Sequence, residues 1–173
     1  MERLANQVCP FCYKKTLTLI EDEFEVPFFG KGFLFYMNCS SCEYEMSDVE
    51  AEQKKEPVRY SIEVDSEKDM KIRIVKSSTA TVKFPQLKMS MEPGATSMGF
   101  VSNIEGLLDR FKQIIEQEKN YSEDEDVKEN AKGLLKKIWK IKLGDMKTKL
   151  IIEDPNGNSA IISEKAVVEK LNK

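Results

Sequence analysis

Histidine is absent from this chain of 173 residues, and cysteine occurs only four times. Without histidine there is no imidazole base for a serine or cysteine nucleophile. Nor can there be a two-histidine–carboxylate iron site or a mixed Cys/His zinc site. The eight glycines are scattered, and none falls in the G-x-x-x-x-G-K pattern that cradles phosphates. No apolar run approaches a membrane span, and the amino terminus, MERLANQVCPFC, has no apolar stretch of signal-peptide length. These absences point to a cytoplasmic protein that binds rather than catalyses. The formal net charge is −3, and four thiolates around one zinc ion would bring it to about −5. That sign opposes broad, sequence-independent nucleic-acid binding.

What is present begins with the cysteines. They form two pairs, Cys9-Pro10-Phe11-Cys12 and Cys39-Ser40-Ser41-Cys42. A C-x-x-C pair lets two thiolates grip one cation from a tight turn, and two such pairs supply the four soft ligands of a closed tetrahedral zinc site. A closed site has no open position for water, so one Zn²⁺ held by Cys9, Cys12, Cys39 and Cys42 would be structural. Paired disulfides or redox pairs are the alternatives, and a chain without an export signal favours metal.

Residues 1–50 read as a zinc ribbon, with strands at Thr16–Ile20 and Phe33–Met37 and a Gly30-Lys31-Gly32 turn. Six aromatics crowd this segment: Phe24, Phe28, Phe29, Phe33, Phe35 and Tyr36. A ribbon this small cannot bury them alone. The expectation is that several dock onto the following domain; Phe28, Phe29 and Phe33 are candidate partner contacts. Residues 50–57 read as a polar linker.

From 57 to 173 the pattern is that of a β domain of sandwich or small-barrel type. Strands are expected at Arg59–Val64, Met70–Val75, Ala80–Phe84 and Leu87–Met91, then at Lys149–Glu153 and Ser159–Ile162. A helical hairpin at about 103–143 interrupts them, each helix opened by a capping box, Ser102/Glu105 and Ser122/Glu125. The acidic cluster Glu123–Asp126 suits a helix amino terminus. Lys132, Lys136, Lys137, Lys140 and Lys142 suit a solvated helix face. Asp154-Pro155-Asn156-Gly157-Asn158 specifies a β-turn with positive φ at Gly157 and an asparagine bonding local backbone. Asn156, Gly157 and Asn158 are also candidate partner contacts. A short helix is expected over Glu164–Leu171.

Taken together, CPFC, VPFFGKGFLFYMNCSSC, PVRYSIEV, IRIVKSSTATVKFPQL, SNIEGLLDRF and IIEDPNGNSAIIS resemble the archaeal ZPR-type zinc-finger proteins across nearly the whole chain. The resemblance implies a four-cysteine zinc ribbon followed by a double-stranded β-helix, jelly-roll-like domain with an inserted helical hairpin. The implied partner is translation elongation factor 1-alpha, whose folding eukaryotic relatives assist as chaperones. One departure stands out: the family usually has glycine after the last cysteine of each pair, where this chain has Tyr13 and Glu43. Two other readings remain. A nucleic-acid-associated ribbon factor would need a basic face around Lys14, Lys15 and Lys31, and a dithiol oxidoreductase would need exposed, poised cysteine pairs.

Overall fold

Two alternating-hydrophobicity regions meet around one strand that belongs to the first and touches the second. The computed structural model describes residues 1–26, 30–53 and 55–171. The first region is an antiparallel sheet of β1 (Glu2–Gln7), β2 (Leu17–Val26), β3 (Gly30–Cys39) and β4 (Glu45–Ala51), neighbours in that order. The second continues with β5 (Val58–Val64), β6 (Arg73–Lys76), β7 (Thr81–Phe84), β8 (Met89–Met91) and β9 (Phe100–Asn103). After these come helices α1 (Ile104–Tyr121) and α2 (Glu125–Lys142), then β10 (Thr148–Asp154), β11 (Ala160–Ile162) and β12 (Val167–Lys170). These strands build one sheet in the order β12-β5-β10-β7-β8 and a second in the order β11-β6-β9. This is the expected mostly-β architecture with two inserted helices.

The core is shared by both sheets and the hairpin. Ile62, Val64, Ile74, Val82, Phe84, Leu150, Ile152 and Ile161 come from strands; Ile104, Leu107, Leu108, Phe111, Ile138 and Ile141 come from helices. Phe84 meets Phe111 edge-on at 5.4 Å, the favourable geometry for two ring quadrupoles. In α1 the buried residues recur at helical spacing, whereas Ile114 faces outward. In β6, Ile74 joins the inter-sheet core, whereas Val75 faces the amino-terminal sheet and packs with Val49, Phe24 and Leu34. Phe24 therefore docks onto the second region, as the aromatic excess implied.

Several elements differ from expectation for identifiable reasons. The carboxy-terminal segment is a strand: β12 pairs Val167–Lys170 antiparallel with β5, satisfying an otherwise open edge. Residues 67–71 form a 3-10 turn, so strand β6 begins only at Arg73. Lys88 in the left-handed region (φ 53°) splits the expected Leu87–Met91 strand into a 3-10 turn and β8. Both helices start later than the capping boxes suggest. Ser102 stays in β9, paired with Ile74, and Asn103 caps α1 by accepting from the Gly106 N–H at 2.7 Å. Ser122 ends α1, and Asp124 caps α2 through the Asp126 N–H at 2.8 Å. The acidic cluster thus contains the cap, in agreement with the dipole argument. Strands β1 and β4 had no clear signature in the sequence.

β4 holds the two regions together. Asp48 accepts from the Ser78 N–H (2.9 Å) and hydroxyl (2.6 Å). Ser47 donates to the Gly99 carbonyl (2.6 Å), and the Gly99 N–H donates back to the Ser47 carbonyl (2.8 Å). A Cβ at Gly99 would lie 2.7 Å from the Val49 nitrogen, so the approach requires glycine. Beneath this seam Asp154, fully buried, accepts from the hydroxyls of Ser77 (2.7 Å), Thr79 (2.9 Å) and Ser159 (2.6 Å) and from the Asn156 N–H (2.9 Å). Buried Lys76 donates to the Ser77 carbonyl at 2.9 Å. Burial pushes its ammonium down, and the Asp154 and Asp48 carboxylates oppose that shift.

The 154–158 turn has positive φ at Gly157 (+70°), as expected. Its bonding differs: the local acceptor is Asp154, while Asn158 Oδ1 accepts from the Ala51 N–H of β4 at 3.2 Å. Gly157 packs against the backbone of residues 55–56 so closely that a Cβ would meet the Glu56 carbonyl oxygen. We expect Gly157→Val to lower stability by about 2 kcal/mol, from positive φ and from this clash. Gly133, by contrast, lies mid-α2 with nothing within 4 Å of a built Cβ. Gly133→Ala should therefore stabilise the protein by about 1 kcal/mol in urea unfolding; a loss would show that the helix requires glycine there.

Candidate metal centre

Each cysteine pair sits on a tight turn defined by backbone bonds. In the first, the Cys9 N–H donates to the Lys14 carbonyl (2.9 Å) and the Tyr13 N–H to the Cys9 carbonyl (3.0 Å). In the second, the Cys39 N–H donates to the Tyr44 carbonyl (2.8 Å) and the Glu43 N–H to the Cys39 carbonyl (3.1 Å). The two turns are copies of one design. The β2–β3 ladder places Leu17 opposite Cys39 and so brings the turns face to face. The Ser40 N–H joins them by donating to the Thr16 carbonyl at 3.2 Å.

Tyr13 and Glu43, which replace the usual glycines, have φ of 58° and 57°. Both turns keep the left-handed geometry, and two side-chain-bearing residues carry its steric cost, roughly 1–2 kcal/mol apiece. Both turns thus have a left-handed residue at the position where glycine would adopt that conformation without steric cost.

The four Sγ atoms all lie within 4.8 Å of one another. Across the turns, Cys9 to Cys42 and Cys12 to Cys39 each measure 3.7 Å. A disulfide would require about 2.05 Å. A tetrahedral centre with Zn–S bonds of about 2.3 Å has edges of about 3.8 Å. The donor set and spacing fit one zinc ion. Cys9 and Cys39 are buried and Cys42 is exposed.

Electrostatics calls for the same group. The Thr16 hydroxyl, 3.2 Å from Cys39 Sγ, and the N–H groups of Ser41 and Cys42 bring the Cys39 thiol down to about 6 against the effect of burial. At Cys42 the Tyr44 N–H favours the thiolate, but desolvation and the neighbouring sulfurs outweigh it and push that thiol up to about 12. One thiolate forms readily and the last is opposed; a dication lets all four ionise together. Little else closes this end of the sheet. Among the described residues the buried cluster there is Cys9, Leu17 and Cys39, with Cys12, Leu19, Met37 and Tyr44 packed around it.

The other candidate contacts lie apart from the sulfurs. Phe28 and Phe29 fall outside the described residues. Phe33 is partly buried near the opposite end of β3, its ring 6.4 Å from Phe35. The Asn158 bond attaches the 154–158 turn to β4 at Ala51, and Asn156 with Pro155 lines a crevice of about 580 Å³ against Glu50 and Ala51. Sequence reasoning gave no bonding role to Thr16, Asp48, Lys76 or Asp154. Serine, threonine and aspartate are common in loops, and only their convergence from distant segments marks them.

We expect a metal-to-protein ratio of about one, abolished by serine at any of the four cysteines. Metal removal should free the amides of β1–β4 to exchange while those of β5–β12 stay protected, since binding and folding of such a centre are one process. Equal protection with and without zinc would contradict this. Tyr13→Gly and Glu43→Gly should each raise the stability of the zinc-bound protein by up to about 1 kcal/mol, the steric relief less the glycine entropy.

Comparison with known proteins agrees with this geometry. The family model of the ZPR1 jelly-roll domain matches residues 68–172. A ZPR1-like protein of Methanocaldococcus jannaschii is 36% identical over 95% of this chain and 83% of its own length. One from Pyrococcus horikoshii is 38% identical over 95% of this chain and 76% of its own. The zinc finger chaperone zpr1 of Schizosaccharomyces pombe is 23% identical over 79% of this chain, which spans 30% of that longer protein. A zinc-competent four-cysteine ribbon joined to a jelly roll, matched along nearly its full length, places this chain in the ZPR1-like family.

Proposed function

We propose that this chain is a zinc-dependent protein-binding factor of the cytoplasm, not an enzyme, that engages translation elongation factor 1-alpha and assists its folding. The observation that carries this reading is the match along most of the chain to zinc finger proteins, one of them named a chaperone. The chemistry is consistent with it. A closed four-sulfur centre offers no position for substrate, and no histidine is available as a base. Phe28, Phe29 and Phe33 and the Asn156-Gly157-Asn158 turn are the proposed contacts. The ribbon, residues 1–50, and the β domain, residues 57–173, would act as two modules joined through β4.

The nucleic-acid alternative finds less support. Lys14 and Lys15 are exposed, but Lys31 lies 2.9 Å from Glu23 and is held by it, so among the described residues these three do not form a continuous basic face. The test is to mix the zinc-loaded protein with elongation factor 1-alpha, both native and refolding from denaturant. A complex in at least one condition and a higher refolding yield are expected. No complex and an unchanged yield would reject this reading.

A further inference from the structure

The amino-terminal sheet has two unlike faces. Phe24, Leu34 and Val49 lie on the side packed against Val75 and Ala160. Strand register puts Leu4, Leu19, Phe33, Phe35 and Met37 on the other side. Leu4 is 60% exposed, and the other four are only partly buried. Leu4, Leu19, Phe35 and Met37 line a groove of about 220 Å³. Apolar side chains left in water on a surface mark an interaction site.

The same face is ringed with carboxylates. Glu2 stands directly opposite Glu21, and Glu23 and Glu50 flank Phe33 in register. All four are exposed. Like charges placed directly across a sheet disfavour it, yet among the described residues Glu2, Glu21 and Glu50 make no salt bridge; Lys31 is held by Glu23 and Glu52, and Lys55 lines a crevice with Glu50. The chain thus maintains an unfavourable charge arrangement around partly exposed apolar side chains, and a cation arriving from outside would relieve it.

We infer that this face of the ribbon docks a segment of a client polypeptide in which apolar side chains alternate with lysine or arginine. The apolar side chains would fill the groove and the cations would meet Glu2, Glu21, Glu23 and Glu50. Nucleic acids and anionic membranes carry the wrong charge for such a rim. The groove is smaller than the roughly 300–1,000 Å³ typical of small-molecule sites. The inference rests on the reading of the chain as a protein-binding factor and adds to it the chemistry of what is bound.

A short fluorescent peptide alternating leucine and lysine, titrated against the full zinc-loaded chain, tests it. Binding should weaken with salt and fail for a matched leucine–glutamate peptide. Glu21→Lys and Leu4→Ser should each weaken it about tenfold or more. Because Glu21→Lys also removes the repulsion with Glu2, its thermal stability should hold or rise, so lost binding cannot be laid to unfolding. Equal binding of both peptides, or affinity indifferent to Glu21→Lys, would overturn the inference. So would self-association of the wild type that Glu21→Lys disperses, which would give the face to a second copy, whose α2 presents exposed Trp139 beside Lys136 and Lys140. Peptide binding without elongation factor binding would reject only the proposed partner; elongation factor binding untouched by either variant would reject only this surface.

Discussion

Four sulfur atoms take the place of a hydrophobic core at one end of this protein. The amino-terminal sheet buries Leu17 and little else around the cysteines, too small an apolar area to offset the entropy of ordering its strands. Bringing four thiols to within 4.8 Å is unfavourable without a cation, because their ionised forms repel and their neutral forms bond weakly. One zinc ion reverses the sign of that interaction. The turns that present the sulfurs accept left-handed backbone at Tyr13 and Glu43, a strain that metal coordination can outweigh several times over.

The far end of the same sheet is stabilised differently. There Phe24, Leu34 and Val49 pack on Val75 and Ala160, and β4 is bonded through Ser47, Asp48 and Ala51 to three separate loops of the β domain. Asp154 and Lys76 lie under that seam. A buried carboxylate with three hydroxyl donors and a backbone N–H is satisfied, but it requires each donor to be in place. The polar cluster therefore fixes one mutual arrangement of the 77–79, 98–99 and 154–159 loops, where an apolar contact would tolerate several. Ribbon orientation thus depends on loops that are far apart in sequence.

Those two anchors leave one face of the ribbon uncovered. Among the described aromatics of the ribbon, Phe24 turns toward the β domain, while Phe33 and Phe35 turn away on β3, with Glu21 and Glu50 across from them. The acidic net charge of the chain, −3 before metal, is in part concentrated there. On α2 the lysines are mostly solvated, apart from Lys142, which bonds Asp109 of α1 at 2.7 Å and so ties the hairpin together.

The sequence by itself determined the four candidate zinc ligands, the two helices and most strands of the β domain. Each of these rests on local spacing: C-x-x-C pairs, apolar residues three and four apart, or strict alternation. The positive φ at Gly157 was legible for the same reason. Tertiary structure decided what depends on partners distant in the chain. The segment 167–170 became a strand because β5 had an open edge. Ser102 was drawn from a helix cap into β9 by Ile74. β1 and β4 exist because β2 and β3 offer them backbone, although their own residues are polar and irregular. Asn158 bonds to Ala51, 107 residues away, and not to its own turn. Strand pairing and buried polar contacts are non-local, so no window of sequence contains both halves of the interaction.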